Sequence, residues 1–205
     1  FVVNAARIDA DFQQIKSHIK SGLFEDKSNV TAKIDIQGPR SKALLQTLCS
    51  FDLEELKYFG FTKTTLLDAP AIVSRTGYTG ELGYELYIDN ETAPKLWDKL
   101  IALGATPAGL GARDVLRMEM GYSLYGHELD ETITPLEASL GSFIKFNRPF
   151  IGKEALERPK DAGIPRKIIA FSTRTKRAPR NGFEIFQNAQ KIRVGSSGTF
   201  SPSLG

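Results

Sequence analysis

The chain has 205 residues, of which 41% are hydrophobic and 25% charged, and its net charge is +3. These values are ordinary for a globular protein with one large or two modest domains. No apolar run approaches the length needed to cross a bilayer, so no membrane partner is expected. The single cysteine, Cys49, excludes an internal disulfide, and its apolar helical setting favours a buried structural thiol.

The first predicted elements are a strand end and an amphipathic helix. The opening residues "FVVNA" are typical of the middle of a strand, so we expect the sequence to be a piece of a longer chain. The next segment places Phe12, Ile15 and Ile19 on one helical face. Asp9 is its predicted N-cap, and Gly22 is its predicted end.

A strand and a short helix follow. Alternation predicts a strand of period two, whose inward residues are Val30, Ala32, Ile34 and Ile36. Pro39 is expected in the first turn of the next helix. The pattern of residues 52–70 predicts an irregular segment with short strand pieces.

The middle of the chain predicts a hairpin and two helices. The stretches "AIVSRTGY" and "LGYELYID" predict two strands joined across "TGE". An amphipathic helix ending at Gly104 follows, and "GLGARDVLRMEMGY" predicts another. The residues of the first helix expected to face the core are Leu96, Trp97, Leu100 and Ile101.

Two further helices are predicted before the pattern changes near Pro165. Thr134 is a predicted N-cap, with Glu137 at the capping-box position. The segment "GKEALERPK" predicts a short helix stopped by Pro159. Residues 166–205 then show short alternating runs and turn signals, which predict a separate all-β piece.

That last segment is strongly basic. Residues 166–205 hold eight Lys and Arg against one Glu, a net charge of 8 − 1 = +7, which leaves 3 − 7 = −4 for the rest. Either a solvated basic surface or a docking face for an acidic partner explains this charge. No helix-turn-helix, zinc finger or stacking platform is present, so no nucleic acid is expected.

Glu85 and Arg113 are the residues that point to a ligand. Glu85 follows a turn rich in glycine and tyrosine, and it is either an ordinary strand residue or a carboxylate held in a pocket. Arg113 and Arg117 lie at helical spacing before Tyr122 and Tyr125, which is equally typical of a solvated salt-bridge helix. A carboxylate, an arginine and several aromatic rings are what a flat polar heterocycle requires. Two histidines without a CxxC or HExxH pattern are too few for a strong metal case, and no metal is expected.

Four motifs in the same order resemble the T-protein of the glycine cleavage system, a tetrahydrofolate-dependent aminomethyltransferase. They are "SRTGYTGELGYELYI", "GLGARDVLRMEMGYSLYGHELDETITPLEASLG", "FIGKEAL" and "GSSGTFSPSLG". The resemblance implies an enzyme that takes the aminomethyl group from the lipoyl arm of the H-protein. It would release ammonia and form 5,10-methylene-tetrahydrofolate, in a bacterial cytoplasm or a mitochondrial matrix.

The resemblance also implies an α+β fold of two intertwined ferredoxin-like domains and a C-terminal β-barrel-like domain. The implied division gives residues 1–28 and 134–165 to one ferredoxin-like domain. Residues 29–133 form the folate-binding one, and residues 166–205 form an incomplete β domain.

The resemblance assigns the family's site residues to matching positions of this chain. Glu85 matches the glutamate that binds the pterin ring, Arg113 the arginine beside it, and Asn4 a strand residue near the folate. The pocket wall is expected to include Tyr78, Tyr122 and Tyr125. Glu81 is expected to belong to the turn.

The sequence departs from the family at both ends. The family's catalytic aspartate lies in a "DxSHMG"-like segment, which the resemblance places upstream of Phe1. A further folate-contacting arginine would follow "SPSLG". We therefore expect this stretch alone to show little or no transfer.

Two alternatives stay open. One is a related folate-dependent demethylase, or the folate domain of a sarcosine- or dimethylglycine-oxidising enzyme. The other is a non-catalytic folate-binding or iron–sulfur assembly factor. Such factors carry a "KGCYxGQE"-like motif, whereas this chain has "KFNRPFIGKEAL" with no cysteine.

Overall fold

The computed structural model describes residues 1–173 and 177–203. The chain divides into two compact units, Phe1–Arg113 and Asp114–Gly205. The helix Leu110–Glu119 begins in the first unit and ends in the second. The four-part division drawn from the sequence stays a prediction.

The first unit is built on a four-stranded antiparallel sheet. Its strands are β1 (Thr31–Gln37), β2 (Phe61–Leu66), β3 (Ala69–Ser74) and β4 (Gly83–Asp89), in the order β1-β4-β3-β2. The N-terminal helix α1 is Ile8–His18; helices α2 and α3 are Ser41–Gln46 and Thr92–Ala102, and both contact β1 and β4. The expected α+β class is therefore confirmed for this unit.

One face of this sheet carries the core of the unit. Tyr84, Leu86 and Ile88 alternate along β4 and are almost fully buried with Leu45 and Leu96 of the two helices. Burying each of the aliphatic side chains in this group stabilises the fold by about 1.5–3 kcal/mol. The intervening residues of β1 and β4 therefore lie on the opposite face of the sheet.

The N-terminal segment differs from its prediction. Residues 1–4 form no strand, because the Asn4 side chain turns back to accept the backbone N–H of Ala6 at 3.0 Å and begins the 3-10 turn Ala5–Arg7. Helix α1 starts one residue before Asp9, which lies in the first turn instead of at the N-cap. The chain is extended at Ile19, before it reaches Gly22.

In the sheet, the inward alternation of Ala32, Ile34 and Ile36 is confirmed. Val30 lies outside the strand in a 3-10 turn and is exposed. Residues 52–70 are predicted to be irregular with short strand pieces, and they contain one complete strand, β2. Its sequence "FTKTTL" is rich in β-branched residues but mostly polar, because only Leu66 of this edge strand is fully buried.

The described part of the second unit contains little regular structure. Helix α4 is Leu110–Glu119 and α5 is Lys153–Ala162; strands β5 (Glu184–Gln187) and β6 (Gln190–Val194) form a hairpin. Its turn residues, Asn188 and Ala189, both have positive φ. Pro159 lies inside α5 and does not end it. None of the helices in the described ranges is long and apolar enough to cross a bilayer.

A buried ion pair organises part of this unit. The Arg117 guanidinium is 3% exposed and donates to Glu128 Oε2 at 3.0 Å, to Asp114 Oδ1 at 2.7 Å and to Ser197 Oγ at 2.9 Å. Ser196 donates to the other oxygen of Glu128 at 2.5 Å. The sequence was equally consistent with Arg117 on a solvated helix surface. The structure buries it instead, and its contacts hold the glycine–serine segment that follows β6.

Candidate functional site

Glu85 lies on the sheet face opposite the helices. In the strand register it stands between Asp35 of β1 and Ser74 of β3. The next row of the same face pairs Lys33 of β1 with Tyr87 of β4. The sheet therefore collects a group of polar side chains around one carboxylate.

Three donors hold the Glu85 carboxylate. Lys33 Nζ lies 2.5 Å from Oε1. Thr76 Oγ1 donates to Oε2 at 2.5 Å, and the Tyr87 hydroxyl donates to the same oxygen at 3.1 Å. The side chain is 16% exposed, so it is partly shielded but still open to a ligand.

These contacts keep Glu85 charged. Burial by itself would raise the pKa of the carboxyl group. The hydrogen bond from Lys33 and its positive charge, with the bonds from Thr76 and Tyr87, outweigh burial and hold the pKa of Glu85 below its ordinary value. Glu85 is therefore an ionised acceptor at neutral pH.

The same contacts determine how many further hydrogen bonds the Glu85 carboxylate can accept. A carboxylate offers about four acceptor positions, two on each oxygen. Thr76 and Tyr87 occupy both positions on Oε2, whereas Lys33 takes one on Oε1. Among the residues that the structure describes, no other donor reaches the carboxylate, so one position, on Oε1, remains for a ligand donor.

A second feature of the first unit is the contact between Tyr78 and Arg113. The Arg113 guanidinium lies 4.7 Å from the centre of the Tyr78 ring, in cation–π geometry. Tyr78 is in the loop 75–82, which joins β3 to β4. The structure therefore brings together two predicted site residues that are far apart in sequence.

Gln37 shapes this loop from the neighbouring strand. Its side-chain amide donates to the carbonyl oxygens of Thr76 at 3.2 Å and Tyr84 at 3.4 Å, and it accepts from Thr79 Oγ1 at 3.2 Å. A Cβ on Gly77 or Gly83 would come within 2.1 or 1.8 Å of Gln37 Oε1. A side chain at either glycine would therefore displace the Gln37 amide from its present position.

The remaining predicted site residues lie elsewhere in the chain. Asn4 is exposed and caps the first 3-10 turn. Tyr122 and Tyr125 belong to the second unit, after α4. Glu81 is exposed in the loop 75–82, where its backbone N–H donates to Thr79, as expected of a turn residue.

Sequence reasoning missed the three residues that hold Glu85. Period two places Lys33 on the face of β1 opposite Ile34 and Ile36, which indicates only that it lies away from the core. Thr76 and Tyr87 belong to the predicted hairpin, and its pattern gives them no further role. No sequence pattern shows which residue of β1 faces Glu85, since strand register depends on the folded sheet.

The fold and this site define an α+β protein with a charged acceptor on the open face of its sheet. The family described as the GCVT N-terminal domain matches residues 1–148. The chain therefore belongs to the GCVT N-terminal domain family, which confirms the resemblance seen in its motifs.

Individual relatives agree with this assignment. The chain is 46% identical to an aminomethyltransferase of Thermotoga sp. (strain RQ2), over all of this chain and 57% of that protein. It is 44% identical to an aminomethyltransferase of Halothermothrix orenii, over 99% of this chain and 58% of that protein. The chain thus spans little more than half the length of these curated relatives.

A solved structure shows the same fold. The crystal structure of glycine cleavage system aminomethyltransferase T from Bartonella henselae matches with a TM-score of 0.86 and 28% identity. The match covers 98% of this chain and 56% of that one. The α+β prediction thus holds over the described chain.

Proposed function

We propose that the full-length protein is the aminomethyltransferase of a glycine cleavage system. It would take the aminomethyl group carried on the lipoyl arm of the H-protein, release ammonia and deliver the methylene to tetrahydrofolate. Family membership and relatives named aminomethyltransferase support this assignment. The named relatives are bacterial, which favours the bacterial cytoplasm over the mitochondrial matrix.

The observation that carries the proposal is the ionised Glu85 carboxylate with an acceptor position on Oε1. The aminopyrimidinone edge of a pterin presents adjacent N–H donors. A hydrogen bond to a charged acceptor contributes roughly 1.5–3 kcal/mol. Glu85 therefore suits the role of pterin ligand better than the exposed Glu81.

Arg113 and Tyr78 would form a second contact for the folate. The guanidinium stacked on the ring keeps its planar donors ordered, which suits a carboxylate or a ring oxygen of the ligand. Asn4, Tyr122 and Tyr125 stay proposed pocket residues on the strength of the family resemblance. The acidic group that tunes proton transfer would come from the family's aspartate segment, which these residues do not include.

This chain's contribution to the reaction is mostly orientation. The folate nitrogen must attack the methylene carbon as ammonia leaves, and holding the reactants in that geometry supplies much of the rate. Glu85 would fix the pterin ring, and Arg113 would limit its rotation. The basic segment after Pro165 is a proposed docking surface for an acidic H-protein; two of its cations, Arg174 and Lys176, lie outside the described residues.

The test is tetrahydrofolate binding to the full-length protein and to Glu85→Gln, measured by calorimetry without oxygen. We expect about 10- to 100-fold weaker binding, the equivalent of one charge-assisted hydrogen bond. Glu81→Gln is the matched control and should bind within about twofold of wild type, because Glu81 is an exposed loop residue. Equal loss in both variants, or in neither, would remove Glu85 from the site.

A further inference from the structure

Two carboxylates of like charge face each other beside the proposed ligand contact. Asp35 and Glu85 are directly opposite in the register of β1 and β4. Like charges in this position destabilise a sheet. A cation between them offsets this repulsion.

Lys33 supplies that cation and is shared between the two acids. Its ammonium nitrogen lies 2.5 Å from Glu85 Oε1 and 3.2 Å from Asp35 Oδ1. The three side chains are about 16–32% exposed, so water screens this contact only in part. An ammonium group has three donors, so it can bond both carboxylates at once.

Lys33 is bonded to Oε1, the oxygen of Glu85 that still has an acceptor position for a ligand. Thr76 and Tyr87 fill the acceptor positions of Oε2, so a ligand N–H must approach Oε1, where Lys33 is already bound. Lys33 and a ligand N–H therefore share Oε1.

We propose that Lys33 is a positioning residue of this site, shared between Asp35 and Glu85, which bonds one acceptor position of Glu85 Oε1 and leaves the second position to the ligand. Asp35 adjusts this hold in the opposite sense, because it draws the same ammonium group away. The inference rests on the proposed function, in which Glu85 accepts a pterin N–H.

The sign of the pH effect follows from the charges that face Glu85. These are Lys33 and Asp35 from β1 and the Tyr87 hydroxyl from β4, while Lys63 of β2 lies on the same face beyond Ile72. Removing the positive charge of Lys33 raises the pKa of Glu85. As the pH falls, Glu85 is then protonated earlier, so ligand binding is lost at a higher pH than in wild type. Removing the negative charge of Asp35 lowers that pKa, so binding persists to a lower pH.

The experiment measures tetrahydrofolate binding to the full-length protein between pH 4 and pH 8, without oxygen. We compare wild type with Lys33→Met, Lys33→Arg and Asp35→Asn. Protonation of the ligand is common to all four proteins, so the comparison between them isolates the protein groups. A ligand-free titration of Glu85 by carboxyl-carbon NMR accompanies each one.

We expect Lys33→Met to bind about tenfold more weakly than wild type near the acid end of the range and to approach wild type at pH 8. The tenfold figure corresponds to about one pKa unit for an opposite charge at this distance. Asp35→Asn should keep binding tetrahydrofolate to a lower pH than wild type does. Lys33→Arg keeps the positive charge and should show the wild-type dependence of binding on pH. If Lys33→Met does not fold, the Asp35→Asn and Lys33→Arg profiles carry the test.

The outcomes separate the two claims. If wild type binds tetrahydrofolate and all variants share its pH profile, the role of Lys33 is overturned while the proposed function stands. If wild type does not bind tetrahydrofolate at any pH, both are overturned. Opposite shifts for Lys33→Met and Asp35→Asn, in binding and in the Glu85 titration, support the proposal.

Discussion

The Glu85 carboxylate accepts a different number of bonds on its two oxygens, and Tyr87 makes the longest of them. Its hydroxyl is 3.1 Å from Oε2, against 2.5 Å for Thr76. Burial and the neighbouring Glu85 charge raise the pKa of the Tyr87 phenol well above its usual range, so it stays a donor at every working pH. A pterin that donates to both oxygens would have to replace Tyr87.

Tyr87→Phe should therefore preserve or improve tetrahydrofolate binding. It frees a position on Oε2 for the second N–H of the pterin, and one more net hydrogen bond of about 1 kcal/mol is about fivefold in affinity. The comparison ligand is 4-aminobenzoyl-glutamate, which lacks the pterin edge and should show no gain. A loss beyond about tenfold for tetrahydrofolate would show that Tyr87 does more than occupy the acceptor.

At the level of single residues, the sequence pattern left Glu85 open between a strand residue and a pocket carboxylate, and the family resemblance selected the second. The structure shows Glu85 half-buried and Glu81 exposed, and the ligand role of Glu85 stays a prediction. Lys33 is separated from Glu85 by 52 positions in the chain. Only the pairing of β1 with β4 brings them together, and that pairing is a property of the whole sheet.

Among the elements, the β3–β4 loop depends on the neighbouring strand β1. Gln37 fills the space beside Gly83 and Gly77, and its amide holds the backbone of both loop ends. The loop carries Tyr78 and, through it, the stacked Arg113. Gln37 is thus a structural support for one wall of the proposed site.

Gly83→Ala should lower the free energy of unfolding by about 1–3 kcal/mol, because the new methyl group displaces Gln37 from its partly buried hydrogen bonds. Urea denaturation measures the change. In a Gln37→Ala background the same substitution should be nearly neutral, as expected for coupled neighbours.

The matched control is Gly111→Ala in helix α4. A Cβ at Gly111 meets nothing within 4 Å, and alanine favours a helix by up to about 1 kcal/mol over glycine. We expect Gly111→Ala to be neutral or stabilising. A penalty for Gly83→Ala that persists without the Gln37 side chain would contradict the role given to Gln37.

One local helix signal predicted its side-chain contacts correctly but not the helix expected after them. The capping box forms as predicted, with Thr134 N–H donating to Glu137 at 2.7 Å and Glu137 N–H donating to Thr134 at 3.2 Å. No helix follows it, and Ser139 has a φ of 63°. The Glu137 carboxylate also accepts from Arg166 at 2.5 Å, so the motif serves a contact within the second unit.

For the whole molecule, the predicted α+β class and the family resemblance hold. Alternating apolar and polar residues predicted β1 and the β3–β4 pair, because one face of each of these strands is buried and the other is not. The polar edge strand β2 gave no such signal. Nor could the pattern show that helix α4 links two compact units, since unit boundaries depend on contacts distant in sequence.

The central claim is aminomethyl transfer by the full-length protein, and one assay tests it most directly. Purified protein is mixed with tetrahydrofolate and H-protein whose lipoyl arm carries the aminomethyl group, and ammonia and 5,10-methylene-tetrahydrofolate are measured. We predict that both products form in equal amounts, and only when both substrates are present. Methylene-tetrahydrofolate made from sarcosine or dimethylglycine without H-protein, or no product from the loaded H-protein, would contradict the account.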